Sequence, residues 1–160
     1  MKRIHRQQGF TLLDIMLVLI IFVLLATFGL PAYGDLVSRN RLNAATVQVM
    51  SDLMLARKRA LSQQHSVRVF FDSPNSYRIW NDLDNNGRET NQFDRDEVDN
   101  RDLGSFGAKM KSTNNPTFWP SGSVTSLATI TLRHPGVSNK QSRCITISIT
   151  GRIKQTRCTY

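Results

Sequence analysis

Three kinds of hydrophobic spacing follow one another along the chain, and each predicts a different element. From Phe10 to Leu30 the residues FTLLDIMLVLIIFVLLATFGL are apolar almost without a break, and Asp14 is the one charge among them. A run of roughly 20 apolar residues is what a helix needs to cross a hydrocarbon core. From Leu36 onward the apolar positions Leu42, Ala45, Val49, Leu53, Ala56 and Ala60 recur at three- and four-residue steps, while Asn43, Gln48, Ser51, Asp52 and Lys58 fall elsewhere. This spacing predicts an amphipathic helix with one buried stripe, running to about Gln63. Pro31, between the two stretches, removes one backbone donor and predicts a mild kink. After residue 65 the period falls to two, in Val67–Phe71, Tyr77–Trp80, Thr129–Leu132 and Cys144–Ile149, with turn-rich stretches such as Ser73-Pro74-Asn75 and His134-Pro135-Gly136 between them. The expected fold class is therefore α+β. A long N-terminal helix, membrane-spanning in its first half and amphipathic in its second, packs on an antiparallel β-sheet domain.

The flanks orient the apolar run. The opening MKRIHRQQG carries Lys2, Arg3 and Arg6, so the positive-inside rule keeps this end in the cytoplasm and sends everything after Leu30 across the membrane. A carboxylate such as Asp14 inside a span costs about 2.5–3.5 kcal/mol on insertion scales, so it is expected to be kept for a purpose. The chain of 160 residues divides into a short basic flank (1–9), a membrane helix (10–30), its amphipathic continuation (31–64) and one small β-rich domain (65–160). Cys144 and Cys158 both fall on the oxidising side of that topology, where a disulfide is the default.

Charge changes the picture further. The segment 67–103 holds nine acidic residues against five basic, whereas 104–160 holds eight basic residues and no acidic one. The eight are Lys109, Lys111, Arg133, Lys140, Arg143, Arg152, Lys154 and Arg157. Such a segment either turns to an anionic partner or folds back on the acidic stretch 82–102 of its own domain.

Candidate chemistry is sparse. Asp82-Leu83-Asp84-Asn85-Asn86-Gly87 opens like an EF-hand calcium loop, yet the twelfth position, where a bidentate Glu belongs, is Phe93. Asp82, Asp84 and Asn86 therefore make a weak metal candidate, set against a solvated turn rich in Asp and Asn. His5, His65 and His134 are far apart, and no nucleophile–base pair carries a supporting signature, so neither enzymatic activity nor a cofactor is expected. Phe118 and Trp119 beside Pro120 suit core packing at a strand start better than stacking on bases. Cys144 and Cys158 each lie seven positions from Gly151, so a hairpin turning at Gly151 sets the two cysteines opposite each other and pairs Ile149 with Ile153. Closing a loop of about 15 residues in this way is worth about 3 kcal/mol in the chain-entropy model.

The basic leader, Gly9 before Phe10, Thr11-Leu12-Leu13 and an acidic residue five positions into the mature chain resemble the class III leader of type IV pilins and type II secretion pseudopilins. The family usually has Glu where this chain has Asp14. Within that family several stretches resemble, in order, the GspH/FimT branch of minor pilins. They are Leu53–Leu61 followed by Val67-Arg68-Val69, the aspartate-rich loop after Trp80, Phe118-Trp119-Pro120-Ser121-Gly122, and the late Gly151-Arg152. The resemblance implies that a prepilin peptidase cuts between Gly9 and Phe10 and methylates the Phe10 amine, and that Asp14 neutralises a neighbouring Phe10 ammonium when subunits assemble with other pilins. FimT-type proteins of naturally competent bacteria use a basic C-terminal tail with a Gly-Arg-x-Arg-like motif to bind DNA. Here Gly151-Arg152-Ile153-Lys154 matches with Lys for the final Arg, which keeps the charge but lacks the bidentate fork. The expectation is an inner-membrane minor pilin with a periplasmic domain, binding DNA through Arg133, Lys140, Arg143, Arg152, Lys154 and Arg157. The alternative is a minor pseudopilin of a type II secretion system.

Overall fold

Thr11 starts helix α1 (Leu12–Gln63). Its backbone N–H and its hydroxyl both donate to Asp14 Oδ2, at 3.0 and 2.9 Å, and the Asp14 N–H donates back to Thr11 Oγ1 at 3.3 Å. This reciprocal pattern is a capping box, with Asp in the place usually held by Glu or Gln, and it satisfies donors that a helix start leaves open. The computed structural model describes residues 11–83, 97–138 and 141–158, with side chains at all of these except 28–32, 97 and 157. The described residues fall into two compact units divided after Leu36. In the first unit every large apolar side chain from Leu12 to Leu25 is between 48% and 78% exposed. Among the described residues no helix is long and apolar enough to cross a membrane. The apolar run Phe10–Leu30 of the sequence extends at both ends beyond the residues whose side chains are described.

The second unit is built on the predicted stripe. Leu42, Ala45, Val49, Leu53, Ala56 and Ala60 are each at most 2% exposed, and the three alanines let strands approach the helix closely. Beyond Gln63 the chain turns at Gln64, in the left-handed region with φ 59°, into β1 (Ser66–Phe70). There follow β2 (Ser76–Asp82), β3 (Glu97–Asp102), β4 (Lys109–Ser112), β5 (Thr117–Phe118), β6 (Ala128–Arg133), β7 (Arg143–Ile147) and β8 (Ile153–Arg157). They form two four-stranded sheets, β3-β2-β1-β5 and β4-β6-β7-β8, antiparallel at every pairing. Both sheets give alternate residues to one core with the helix stripe: Val67, Val69, Tyr77, Ile79 and Phe118 from the first, Met110, Ala128, Ile130, Leu132, Ile145 and Ile147 from the second. Burying side chains of this size stabilises by about 1.5–3 kcal/mol each.

The last hairpin departs from the expected register. Ile147, not Ile149, pairs with Ile153, and Cys144 stands opposite Thr156. The turn is a three-residue loop, Ile149-Thr150-Gly151, in which the Gly151 N–H donates to Ser148 O at 2.9 Å and Ser148 N–H to Arg152 O at 3.0 Å. Gly151 (φ 73°) takes the last, left-handed position of that loop, so the centre is Thr150 and the register moves by two residues. A shift of two keeps each side chain on its face. Cys144 and Cys158 thus remain on one face and are joined diagonally as a disulfide, with Cα atoms 5.2 Å apart.

Candidate functional site

Several charges of the first sheet pair inside the unit. Arg59 on α1 pairs with Asp99 on β3 at 2.6 Å, and Arg78 on β2 with Asp72 at 2.5 Å. Arg101 on β3 lies 3.6 Å from Asp52 on α1, too far for a hydrogen bond but close enough for charge attraction. The Tyr77 hydroxyl donates to the same Asp52 carboxylate. Burial, and then the hydrogen bond to Asp52 and the negative charge of that carboxylate, push the Tyr77 phenol well above its ordinary value of 10.0. This network ties the helix to β2 and β3 and holds no pair of groups poised for catalysis.

The second sheet is different, and the pleat explains why. Met110, Ala128, Ile130, Leu132, Ile145 and Ile147 face the core, so the residues alternating with them face outward. Lys109 pairs with Arg133, Lys111 with Thr131, Thr131 in turn with Cys144, Thr129 with Thr146, and Thr146 with Lys154. The outer face therefore carries Lys109, Lys111, Arg133 and Lys154 on a floor of threonines, with a depression lined by Lys109, Met110, Lys111, Thr131 and Arg133 between β4 and β6. Lys109, Lys111, Arg152 and Lys154 are exposed and make no ion pair with a described acidic residue. Of the acidic stretch 82–102, Asp99 pairs with Arg59, and Asp82 accepts a hydrogen bond from Ser66 Oγ at 3.0 Å. The part from 84 to 96 lies outside the described residues.

The structure separates the residues expected to bind DNA. Arg133 and Lys154 share the outer face, and Arg152 is exposed at the foot of the hairpin turn. Arg143 belongs to the other face, opposite the buried Leu132, and its Nε donates to Asn43 Oδ1 on the helix at 3.1 Å. Arg157 stands across from Arg143 in the ladder, and Lys140 lies outside the described residues. Gly9, Phe10, Asp84 and Asn86 also lie outside them, while Asp82 is buried at the end of β2. Among the described residues no group of three His, Cys, Asp or Glu is placed to hold a metal ion. Phe118 is wholly buried and Trp119 is 46% exposed, its indole N–H donating to Thr125 Oγ1 at 3.0 Å.

Two features go unread in the sequence although each leaves a signal. Lys109 and Lys111 flank buried Met110, an alternation of exposed, buried and exposed residues that marks a short strand with both lysines on its outer side. Thr11-x-x-Asp14 has the spacing of a capping box. The glycine of the Gly-Arg pair is also structural. A Cβ on Gly151 would run into the Gly122 carbonyl and lie 2.9 Å from Arg57 Nε, so only glycine lets this turn rest against the helix.

One long helix that lends a stripe to a two-sheet β domain, with an exposed and, Asp14 apart, apolar stretch at its start, is the build of a pilin-type filament subunit. The model of the family described as "Type II transport protein GspH" matches residues 45–151, and the chain belongs to that family, whose members are minor pilins and pseudopilins of structural function. The fold resembles that of the type IV minor pilin FimU of Pseudomonas aeruginosa, at 19% identity and TM-score 0.58 over 74% of this chain and 90% of that one. It is equally similar to the minor pseudopilin EpsH of the Vibrio cholerae type II secretion system. Two EpsH structures align at 14% and 12% identity with TM-scores of 0.57 and 0.58, covering 73% and 76% of this chain and 97% of theirs. No curated protein sequence matches the chain.

Proposed function

We propose that the protein is a minor pilin of a type IV pilus that binds DNA through its basic C-terminal region during natural transformation. A prepilin peptidase cuts between Gly9 and Phe10 and methylates the Phe10 amine. The apolar helix then anchors the subunit in the inner membrane, with residues 65–160 in the periplasm, until assembly with other pilins carries it outside the cell. A helix that is apolar all round is stable only in lipid or among like helices, and the exposure from Leu12 to Leu25 supports that reading. In the filament Asp14 exchanges its Thr11 donors for a neighbouring Phe10 ammonium. The observation that carries DNA binding is the second sheet, whose outward cations have no carboxylate on their own strands or connections.

The test is a clean deletion complemented in trans. Wild type restores transformation, and mass analysis of the membrane-extracted protein finds N-methylated Phe10. Asp14→Ala still inserts in the membrane, since a costly charge is removed, but it is lost from sheared filaments. An intact Met1 in a strain with active peptidase ends the pilin reading.

The equal likeness to EpsH supports a second reading, a minor pseudopilin acting in protein export. In that case the deletion abolishes secretion of exported enzymes and leaves transformation intact.

A further inference from the structure

We propose that DNA lies on the outer face of the second sheet, gripped by Lys109 and Lys111 together with Arg133 and Lys154, and that this face takes the backbone of duplex DNA in preference to single strands. The inference rests on the DNA-binding reading above and moves its centre from the C-terminal tail to β4 and β6.

Three observations carry it. The ladder register puts these four cations on one face, although they come from three different strands. Neighbouring strands are about 4.8 Å apart and same-face residues about 6.7 Å apart along a strand, so one polyanionic backbone meets several cations at once. No acidic residue occurs from Gly104 to Tyr160, so the strands of this sheet bring no carboxylate to its outer face. The depression between Lys109, Lys111, Thr131 and Arg133 gives a phosphate a seat with lysines on one side and arginine on the other.

The same face argues against other anionic partners. Its outward residues are lysine, arginine, threonine and the Cys144–Cys158 disulfide, with no aromatic or large aliphatic side chain among them. A lipid surface is held by apolar side chains inserted below the headgroups, and this face has none. Single-stranded nucleic acid is held largely by stacking bases on aromatic rings, which are also missing here. A flat, cationic, hydroxyl-bearing surface without ring platforms suits the regularly spaced phosphates of a duplex and reads no sequence.

The experiment uses the full-length protein in a nonionic detergent and follows fluorescence anisotropy of a labelled mixed-sequence duplex, and of its separated strand, across a salt series. The expected result is tighter binding to the duplex than to the single strand at every salt concentration. In the Lys109→Gln, Lys111→Gln double variant the log–log salt slope should become shallower by about 1.8, at about 0.9 for each phosphate no longer neutralised. The matching Lys→Arg double variant should restore the slope. An unchanged slope in the glutamine variant, with flattening confined to an Arg152→Gln, Lys154→Gln, Arg157→Gln triple variant, overturns this inference and leaves DNA binding by the tail standing. Tighter binding of the single strand also overturns it. Failure of wild type to bind either ligand at low salt removes the DNA-binding reading and this inference together.

Discussion

In the first sheet Arg78 pairs with Asp72 and Arg101 lies near Asp52 and Asp99, so these charges of β2 and β3 are matched within the unit, while Arg68 on β1 lies over the Phe70 ring. In the second sheet Lys109, Lys111 and Lys154 stand on strands that contain no carboxylate at all. Both sheets bury alternate residues against the same helix stripe, so the contrast lies only in what their other residues do. Ion pairs and the Tyr77 hydrogen bond of the first sheet hold β2 and β3 to α1, whereas Lys109, Lys111 and Lys154 of the second sheet make no ion pair with a described acidic residue. On the proposed reading, folding energy and binding capacity reside on different strands of one small unit.

The sharpest way to break this comparison is to weaken each sheet by the means it relies on. Replacing Cys144 and Cys158 by serine removes the diagonal staple of β8 and should lower stability by about 3 kcal/mol, chiefly by freeing the unfolded chain. The fall in the urea midpoint measures it. A fall of under about 1 kcal/mol would mean that the β7–β8 ladder holds without the bond.

Asp52→Ala tests the first sheet. It strips the acceptor from Tyr77, itself 1% exposed, and the nearby negative charge from Arg101, and should cost about 1.5–3 kcal/mol as the loss of a hydrogen bond to a charged group. The same contact sets a pH dependence. The Tyr77 phenol is raised in the folded state, so its contribution is fully present below about pH 10, the ordinary tyrosine value, and is lost as pH rises above it. Ultraviolet titration should find one of the three tyrosines still protonated after the others have ionised, until the protein unfolds. In Asp52→Ala that tyrosine should ionise earlier.

The smallest effect is expected on the second sheet's cations. Changing Lys109, Lys111 and Lys154 to glutamine together should alter stability by no more than about 0.5 kcal/mol per site, because exposed side chains without partners contribute little. A large loss of stability there would erase the division between the sheets.

Much of this fold is legible in the amino-acid sequence. The six stripe positions of α1 are all buried because helix periodicity survives wherever one face packs. The strands from 67, 77, 129 and 144 are visible because each alternates β-branched or aromatic residues. By contrast β3, Glu-Val-Asp-Asn-Arg-Asp, is an edge strand of polar residues with a single apolar side chain, so its sequence lacks the alternation that marks a half-buried strand. β5 is only Thr117–Phe118 and too short for any period to register. The expected hairpin register is off by two residues because a glycine marks a turn without saying which of its positions it fills. The basic face is legible as charge but not as a surface, since Lys109 and Arg133 become neighbours only through strand pairing.

The diagonal Cys144–Cys158 bond also has a mechanical consequence. β8 is an edge strand, and an edge pulled sideways gives way one hydrogen bond at a time, which takes little force. On the proposed reading, a filament retracting with DNA attached would load Lys154 at this edge. Because Cys158 is bonded across to β7, the pull on the end of β8 passes through a covalent link into an inner strand of the sheet. β4, the opposite edge, carries Lys109 and Lys111 and is held by the β6 ladder and by the Met110 N–H donating to Pro74 O at 2.7 Å. On that reading the β8 edge, tied by a covalent bond, would resist tension longer than the β4 edge, whose attachments are hydrogen bonds.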